Sequence, residues 1–572
     1  WRNRVLLAAD DLYKGGEPYP SRGERPHTDE AELLSETLVP TSLDVIKVFG
    51  CDYEFPPGSR GKPAMNRRII EVLDEGSTIF YYVGHGSDDK LGDEGYFFTS
   101  DIANLTSGLK RPVFMAFSCD VGVYDHIVRR SMAEEFLAAQ QGGAAAAVCA
   151  SEVSYISSNE RLTEAFFAAM FPARIVSATT TLGGALLAAK SIFSETDSWA
   201  RNNSQRYTIF GDPAHHLPHP VNDLTFATDT GDTLWPGRRQ EVALDPDAPG
   251  SLVGAGDDWD LRAEESAWLT SYVYYNSKAG WEQEDHRYGP WTKRGQPAAR
   301  MHGVLDSADM RISFKAPTQS RTGQQGRIRL LVQSGGELRV ASNVVPVVRS
   351  PLGAVDDVIG PQIELGFEDD RRHVTPGTVL AASLRDTSGI AVLGTAPGNS
   401  IKLEFDDSGF EVDVTESFVF EAGTQQRGRF EFPLPADLGE GSHTVELRAA
   451  DGLGNGSVDS VSFVMTAAGT GGIHDMTLFP NPTPGPCRLI FELVDPMEVR
   501  WDIYTVAGRR IATVLPQNGR IQGPGPVILE WDGRDAELDE LANGTYLYVL
   551  RGVGGGRDGR DLIRTGKLVI MR

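Results

Sequence analysis

The rhythm of hydrophobic positions changes near residue 220. Before it, VLLAA, IFYYV, PVFMAF and AAAAVCA are unbroken apolar runs, and DVIKVF is an apolar run interrupted by Lys47. That pattern predicts strands buried on both faces. Between them apolar residues recur every three or four positions. HTDEAELLSETLV carries Leu33, Leu34 and Leu38; PAMNRRIIEVLDEG has a proline near its start and a glycine at its end; RRSMAEEFLAAQQGG runs to Gly142 and Gly143. Each predicts a helix. NERLTEAFFAAMF and TLGGALLAAKSIF predict two more, and RYTIFGDPAHHL closes the region. Strands separated by helices imply right-handed crossovers and a parallel sheet.

Beyond Pro220 the helical period fades. RIRLLVQS, VLAASLRD, SIKLEF, SHTVELRAAD and SVSFVM alternate between faces and are set off by Gly, Asp, Asn and Pro turns. This predicts all-β sandwiches. The boundaries are expected in the Pro- and Gly-bearing acidic stretch 351–360 and in AAGTGG at 467–472, giving domains 1–220, 221–355, 356–468 and 473–572. The aromatic segments WLTSYVYYN, GWEQ and YGPW are read as core in preference to a carbohydrate-binding face.

Two of the buried runs break into polar turns that carry reactive side chains. STIFYYV is followed by Gly-His-Gly with His85, and PVFMAF by Ser-Cys-Asp with Cys119, 34 positions on. Strand C-terminal ends in a parallel sheet are where ligands bind and reactive groups project. A histidine and a cysteine at two such ends make a candidate base and nucleophile. Taken singly, His85 reads as a loop residue and Cys119 as a small buried hydrophobe; taken together with their flanks, they read as catalytic. Cys149, among alanines, reads as core, and Cys51 as structural.

Composition narrows the choices. The chain has 572 residues, 54 Lys and Arg, 79 Asp and Glu, and a formal charge of -25. Nucleic-acid binding needs clustered cations, and no basic run here is long enough. Four cysteines at wide spacings indicate neither a disulfide framework nor a zinc cluster. His215, His216 and His219 lack a second ligand cluster nearby, so zinc is not expected there. The Asp-rich turns FDDSG and AADGLGNGS suit hairpins and would tolerate calcium. No apolar run reaches eighteen residues, so no membrane span is expected. The chain opens on a strand without Met or a leader, which reads as part of a longer precursor.

YYVGHGS, then FSCD, the helix MAEEFL, the alanine-rich strand and a closing FGDP together resemble the gingipain-type cysteine peptidases of caspase-like fold, over roughly residues 1–220. The resemblance implies a Cys119–His85 dyad, an oxyanion hole formed by the N–H groups of Gly86 and Cys119, and an acidic residue fifty-five to sixty positions before His85 that orients its ring. Asp29, with Glu30 beside it, falls in that window. It implies no required cofactor, though the family often carries structural calcium. The last hundred residues, with LFPNPTPGPCRLIFEL, VRWDIYTVAGRRIATV, WDGRD and TGKLVIMR, resemble immunoglobulin-like modules of the type IX secretion sorting and flagellar hook-cap kinds. The expectation is therefore a secreted or surface bacterial cysteine endopeptidase acting on proteins or peptides, with outer-membrane secretion machinery as a partner. Two other readings stand beside it: a type IX secretion sortase that cuts sorting signals by transpeptidation, and an adhesin with an inert caspase-like scaffold.

Overall fold

The computed structural model describes all residues except 12–24, 58, 173–179, 194–196, 219, 221–223, 246–252, 277–283, 308–310, 350–356, 369–370, 394–399, 407–410, 436–437, 467–471, 517–520 and 554–560; side chains of 272–288 are also outside the description. His219, Asp407 and much of both expected linkers lie outside the described residues.

The N-terminal region is built on a six-stranded sheet. Its strands are β1 (Arg4–Ala9), β2 (Asp44–Phe49), β3 (Ile79–Val83), β4 (Val113–Phe117), β5 (Ala146–Ala150) and β6 (Tyr207–Phe210), in the order β2-β1-β3-β4-β5-β6. All neighbours are parallel except the edge pair β5–β6. The central strands β3 and β4 are no more than 1% exposed at any hydrophobic position. That explains their unbroken apolar sequence: helices cover both faces, so neither parity can be polar.

Helices α1 (Arg25–Leu33), α2 (Pro63–Glu75), α3 (Met132–Ala138), α4 (Ile156–Met170), α5 (Leu182–Ser191) and α6 (Ser198–Gln205) supply the two covering layers. One core joins Leu7, Tyr81, Phe117 and Val148 to Ala31, Phe166 and Leu182; the other joins Phe80, Phe114 and Ala147 to Ile69, Val72 and Phe136. The sheet is thus the middle of three layers.

Two elements differ from the sequence expectation. The helix expected through Gly142 ends at Ala138. Its start is fixed by a capping box between Ser131 and Glu134. Its end is fixed from outside: the Arg111 guanidinium donates to the carbonyls of Ala139 and Gln140 at 3.0 and 2.9 Å, and Ala144 N–H donates to Phe136 O. With those acceptors satisfied the chain can leave the helix early. Helix α6 was not expected from its polar sequence, SWARNNSQ; the Asp197 side chain caps it by accepting from Ala200 N–H.

The rest of the described chain is antiparallel β. Residues 226–347 form three- and four-stranded sheets over one core containing Trp259, Leu330 and Val345, with Leu393 added from the next module. Residues 362–465 form four- and five-stranded sheets over a core of Phe367, Leu403 and Phe463. Residues 473–570 form three- and five-stranded sheets around Trp501, Leu529 and Leu550. The fold class is therefore an α/β parallel-sheet domain followed by all-β modules, in chain order. Trp291, in the aromatic segment read as core, is buried.

Candidate active site

Register brings the two reactive residues to one edge. Val83 pairs with Phe117 at the ends of β3 and β4. His85 and Cys119 each lie two residues beyond that pair, so they leave the sheet at equal depth from adjacent strands. On the other side of β3, Ala9 of β1 pairs with Val83, which puts Asp10 at the same edge.

The turns are locked together. Ser118 Oγ donates to Gly84 O at 2.7 Å. A Cβ placed on Gly86 would lie 2.3 Å from Ser118 Oγ and 3.2 Å from Cys119 O, so only glycine allows this approach. A Cβ on Gly84 would come 2.4 Å from Asp10 Cβ. The Gly-His-Gly sequence is thus explained by close packing on both sides of His85.

Asp10 is fully buried, and its carboxylate organises the His85 turn. Oδ2 accepts from His85 N–H at 2.9 Å, while Oδ1 accepts from Tyr96 O–H at 2.7 Å and from Asp11 N–H at 2.9 Å. Three donors explain how a carboxylate can stay in the interior. Neighbouring Asp11 is held by buried Lys62, which also donates to Gly50 O at 2.9 Å. Neither aspartate was assigned a role from the sequence; the doubled Asp directly after the apolar run VLLAA was the available signal.

Cys119 is half-buried and packs against the loop after β5. Its Sγ accepts from Ser154 N–H at 3.3 Å, and its S–H donates to Ser154 O at 3.3 Å. A buried polar chain holds that loop: Asn159 Nδ2 donates to Ser154 Oγ at 2.9 Å, Asn203 Nδ2 donates to Asn159 Oδ1 at 2.9 Å, and Asn203 Oδ1 accepts from Tyr155 N–H at 2.9 Å. Asn203 belongs to α6, the helix the sequence did not announce. The other thiols sit differently. Burial pushes Cys149 and Cys487 up to about 12, and pushes Cys51 well above its ordinary range, helped by Asp52 and Asp11.

The remaining candidates are dispersed or differently engaged. The ring meeting His85 is that of His27, edge-on with centroids 5.7 Å apart. Asp29 uses Oδ1 to accept from Trp291 Nε1–H at 3.1 Å, a contact with the first β module. Glu30 is buried, accepts from Tyr81 O–H at 2.7 Å, and is pushed up to about 7 by burial. His216 Nδ1 lies 3.0 Å from Thr180 O.

A groove of about 500 Å³ is lined by Asp120, the residue after Cys119, and by Asp88, Asp125, His126, Glu152, Val153, Tyr155 and Arg206 among others. Asp120, with a positive φ of 57°, is pushed above the usual carboxylate range by burial and by the charges of Asp88 and Glu152. Arg129 pairs with Asp88 at 2.5 Å and Arg206 with Glu152 at 3.5 Å.

An α/β sheet presenting a cysteine and a histidine at adjacent strand ends has the layout of a cysteine-peptidase domain. Residues 1–218 match the model of peptidase family C25. Among solved structures, the chain is similar to dimeric latent PorU from Porphyromonas gingivalis, at 20% identity and a TM-score of 0.26, covering 70% of this chain and 39% of that one. It is also similar to the complex of the pro- and mature domains of RgpB from Porphyromonas gingivalis, at 17% identity and a TM-score of 0.30, covering 60% of this chain and 69% of that one. No curated protein matches. Among the described residues no helix is long and apolar enough to cross a membrane.

Proposed function

We propose that this chain is a cysteine endopeptidase in which Cys119 is the nucleophile and His85 the general base and acid. The observation that carries the reading is the coupling of their two turns, in register and tied by the Ser118–Gly84 hydrogen bond. His85 takes the thiol proton, the Cys119 sulfur bonds to the scissile carbonyl carbon, and the C–N bond breaks as His85 returns the proton to the leaving amine. Water then attacks the thioester and gives a proton to His85; the C–S bond breaks to release the acid, and His85 returns that proton to the Cys119 sulfur. The N–H groups of Gly86 and Cys119 are the proposed donors to the oxyanion. The reading rests on the dyad, with Asp29, whose Oδ1 accepts from Trp291 Nε1–H, as the proposed orienting acid.

The groove favours a basic side chain in the substrate. Asp88 and Glu152 have cationic partners, and Asp120 is pushed up first by burial and then by their negative charges. A guanidinium or ammonium entering there would relieve that repulsion. Exposed Tyr124, Ile127, Val128 and Val153 at or near the rim offer apolar surface for a polypeptide. The proposed location is extracellular or at the cell surface, with the C-terminal module as an address read by outer-membrane secretion machinery.

The test is cleavage of fluorogenic peptides carrying Arg, Lys or neutral residues before the scissile bond. Activity with basic peptides, abolished by Cys119→Ala and by His85→Ala in folded variants, supports the proposal. Inactivity of the wild-type chain toward peptides and denatured proteins would support the inert-scaffold reading instead. Adding an amine acceptor separates hydrolysis from sortase-type transfer, because transfer yields the amide in place of the acid.

A further inference from the structure

At the junction of the second and third β modules, His373, Asp475 and Glu492 converge, each offering one ligand atom, with all three atoms within 4.8 Å of one another. His373 lies on the short strand His373–Val374, Asp475 on Ile473–Phe479 and Glu492 on Cys487–Leu493. We propose that these three side chains bind a divalent transition-metal ion of the zinc class and that the ion clamps the two modules together.

The first support is an unsatisfied donor atom. His373 is 8% exposed, and its Nδ1 is buried without a hydrogen-bond partner. A buried ring nitrogen in that state is costly unless something meets it. It lies 3.4 Å from Glu492 Oε2 and 3.8 Å from Asp475 Oδ2. Ligand atoms bound at about 2.0–2.2 Å around a tetrahedral ion lie roughly 3.3–3.6 Å apart. The separations fit an ion between them with little movement.

The second support is how the carboxylates are aimed. Glu492 uses Oε1 to accept from the backbone N–H groups of Arg372 and His373, the latter at 2.7 Å, leaving Oε2 toward the imidazole. A ligand carboxylate fixed through its other oxygen is the usual outer-shell arrangement at metal sites. Asp475 has a φ of 47°, and the strand register shifts between His474 and Thr477. A bulge at this place re-aims a side chain at a cost in backbone strain, which points to a role for the residue. The side chain of Asp475 is 63% exposed, giving an entry path from the adjoining groove of about 720 Å³.

Ligand chemistry selects the ion. One imidazole and two carboxylates suit zinc and its neighbours; calcium prefers six to eight oxygens. His474 stacks on His373 with centroids 4.2 Å apart, closing one side, and water would complete the coordination shell.

The experiment uses the full chain in a Cys119→Ala background, so that the thiol at the candidate active site contributes no metal binding. After chelator treatment the protein is titrated with zinc by calorimetry and with cobalt by visible absorption. One site with no thiolate-to-cobalt charge-transfer band is expected, weakened more than about 100-fold by His373→Gln, because outer-shell changes alone cost about 10- to 100-fold. Asp475→Asn, at an exposed position, gives a second test should His373→Gln fail to fold. Absence of zinc and cobalt binding, or binding unchanged in Asp475→Asn, would overturn the proposal and leave an ordinary ion-pair junction.

Discussion

At the residue scale, four cysteines of one chemical type occupy distinct environments, and the difference is measurable. A thiol pushed up to about 12, as Cys149 and Cys487 are, holds less than about one ten-thousandth of its population as thiolate near neutral pH. Cys119 is partly accessible and bonded to a backbone N–H. Iodoacetamide at pH 7.5 should therefore modify Cys119 well before Cys149, as read by peptide mass spectrometry; equal slow labelling would count against the dyad. Asp10 makes a second residue-scale prediction. Asp10→Ala leaves the His85 and Asp11 amides and the Tyr96 hydroxyl without their acceptor, at about 1–3 kcal/mol for each donor that stays dry. Lower thermal stability should accompany loss of peptidase activity, and a variant with unchanged melting would refute this role. Glu30 gives the pH dependence. Its carboxyl is raised to about 7 in the fold, so between about pH 4.5 and 7 the unfolded chain has lost a proton that the native state keeps. Stability falls with rising pH across that window. Glu30→Gln, which keeps an acceptor for Tyr81, should flatten the fall in chemical-denaturation curves taken at pH 5 and pH 8.

At the scale of elements, what the sequence made legible was periodicity, and what it hid was contact between distant loops. β3 and β4 were readable because burial on both faces leaves a continuous apolar run, and their glycine and Ser-Cys ends because the turn chemistry sits beside them. Helix α6 was hidden: its sequence is polar, and its job is to deliver Asn203 to Asn159 and Tyr155, partners more than forty residues away. The early stop of α3 depends on Arg111, which no local pattern in the helix announces. Asp29 was placed by its sequence window, but its hydrogen bond from Trp291 of the first β module was not readable from local pattern. Gly86 offers the sharpest test at this scale. An added methyl 2.3 Å from Ser118 Oγ must push the His85 and Cys119 turns apart. Since a displacement of about 1 Å can cost about 100-fold in rate, Gly86→Ala should lose activity by that order, alongside the loss of about 1–3 kcal/mol in stability that overpacking brings. Full activity in the variant would mean that the spacing of the two turns is not what positions the dyad.

At the scale of the whole molecule, the first domain is joined to the first β module by buried charge. Asp44, the first residue of β2, pairs with Arg329 at 3.1 Å, Arg327 at 3.2 Å and Arg262 at 3.3 Å, all from the module, and Glu264 pairs with Arg327 at 2.9 Å. Around this cluster Lys47 pairs with Glu32 and donates to Thr292 O, and Lys293 pairs with Asp52. Burial alone would push the Asp44 carboxyl up, but Arg329, Arg262 and Arg327 together hold it well below the usual carboxylate range. Its contribution is therefore complete above the unfolded value near about 4 and is lost as pH falls toward the folded one. Asp44→Asn keeps the volume but leaves Arg329, 2% exposed, and Arg327 short of an anion. Breaking one side of a buried pair costs about 3–5 kcal/mol, because the stranded charge keeps its desolvation penalty. The variant should unfold at lower urea at pH 7, with its difference from wild type shrinking as pH drops below 4. Because the lost contacts span two modules, the first domain and the adjoining module should also uncouple, giving separate steps in calorimetry. Equal urea midpoints for variant and wild type at pH 7 would show that the cluster does not hold the modules together, and the unit of cooperativity would then be the single domain.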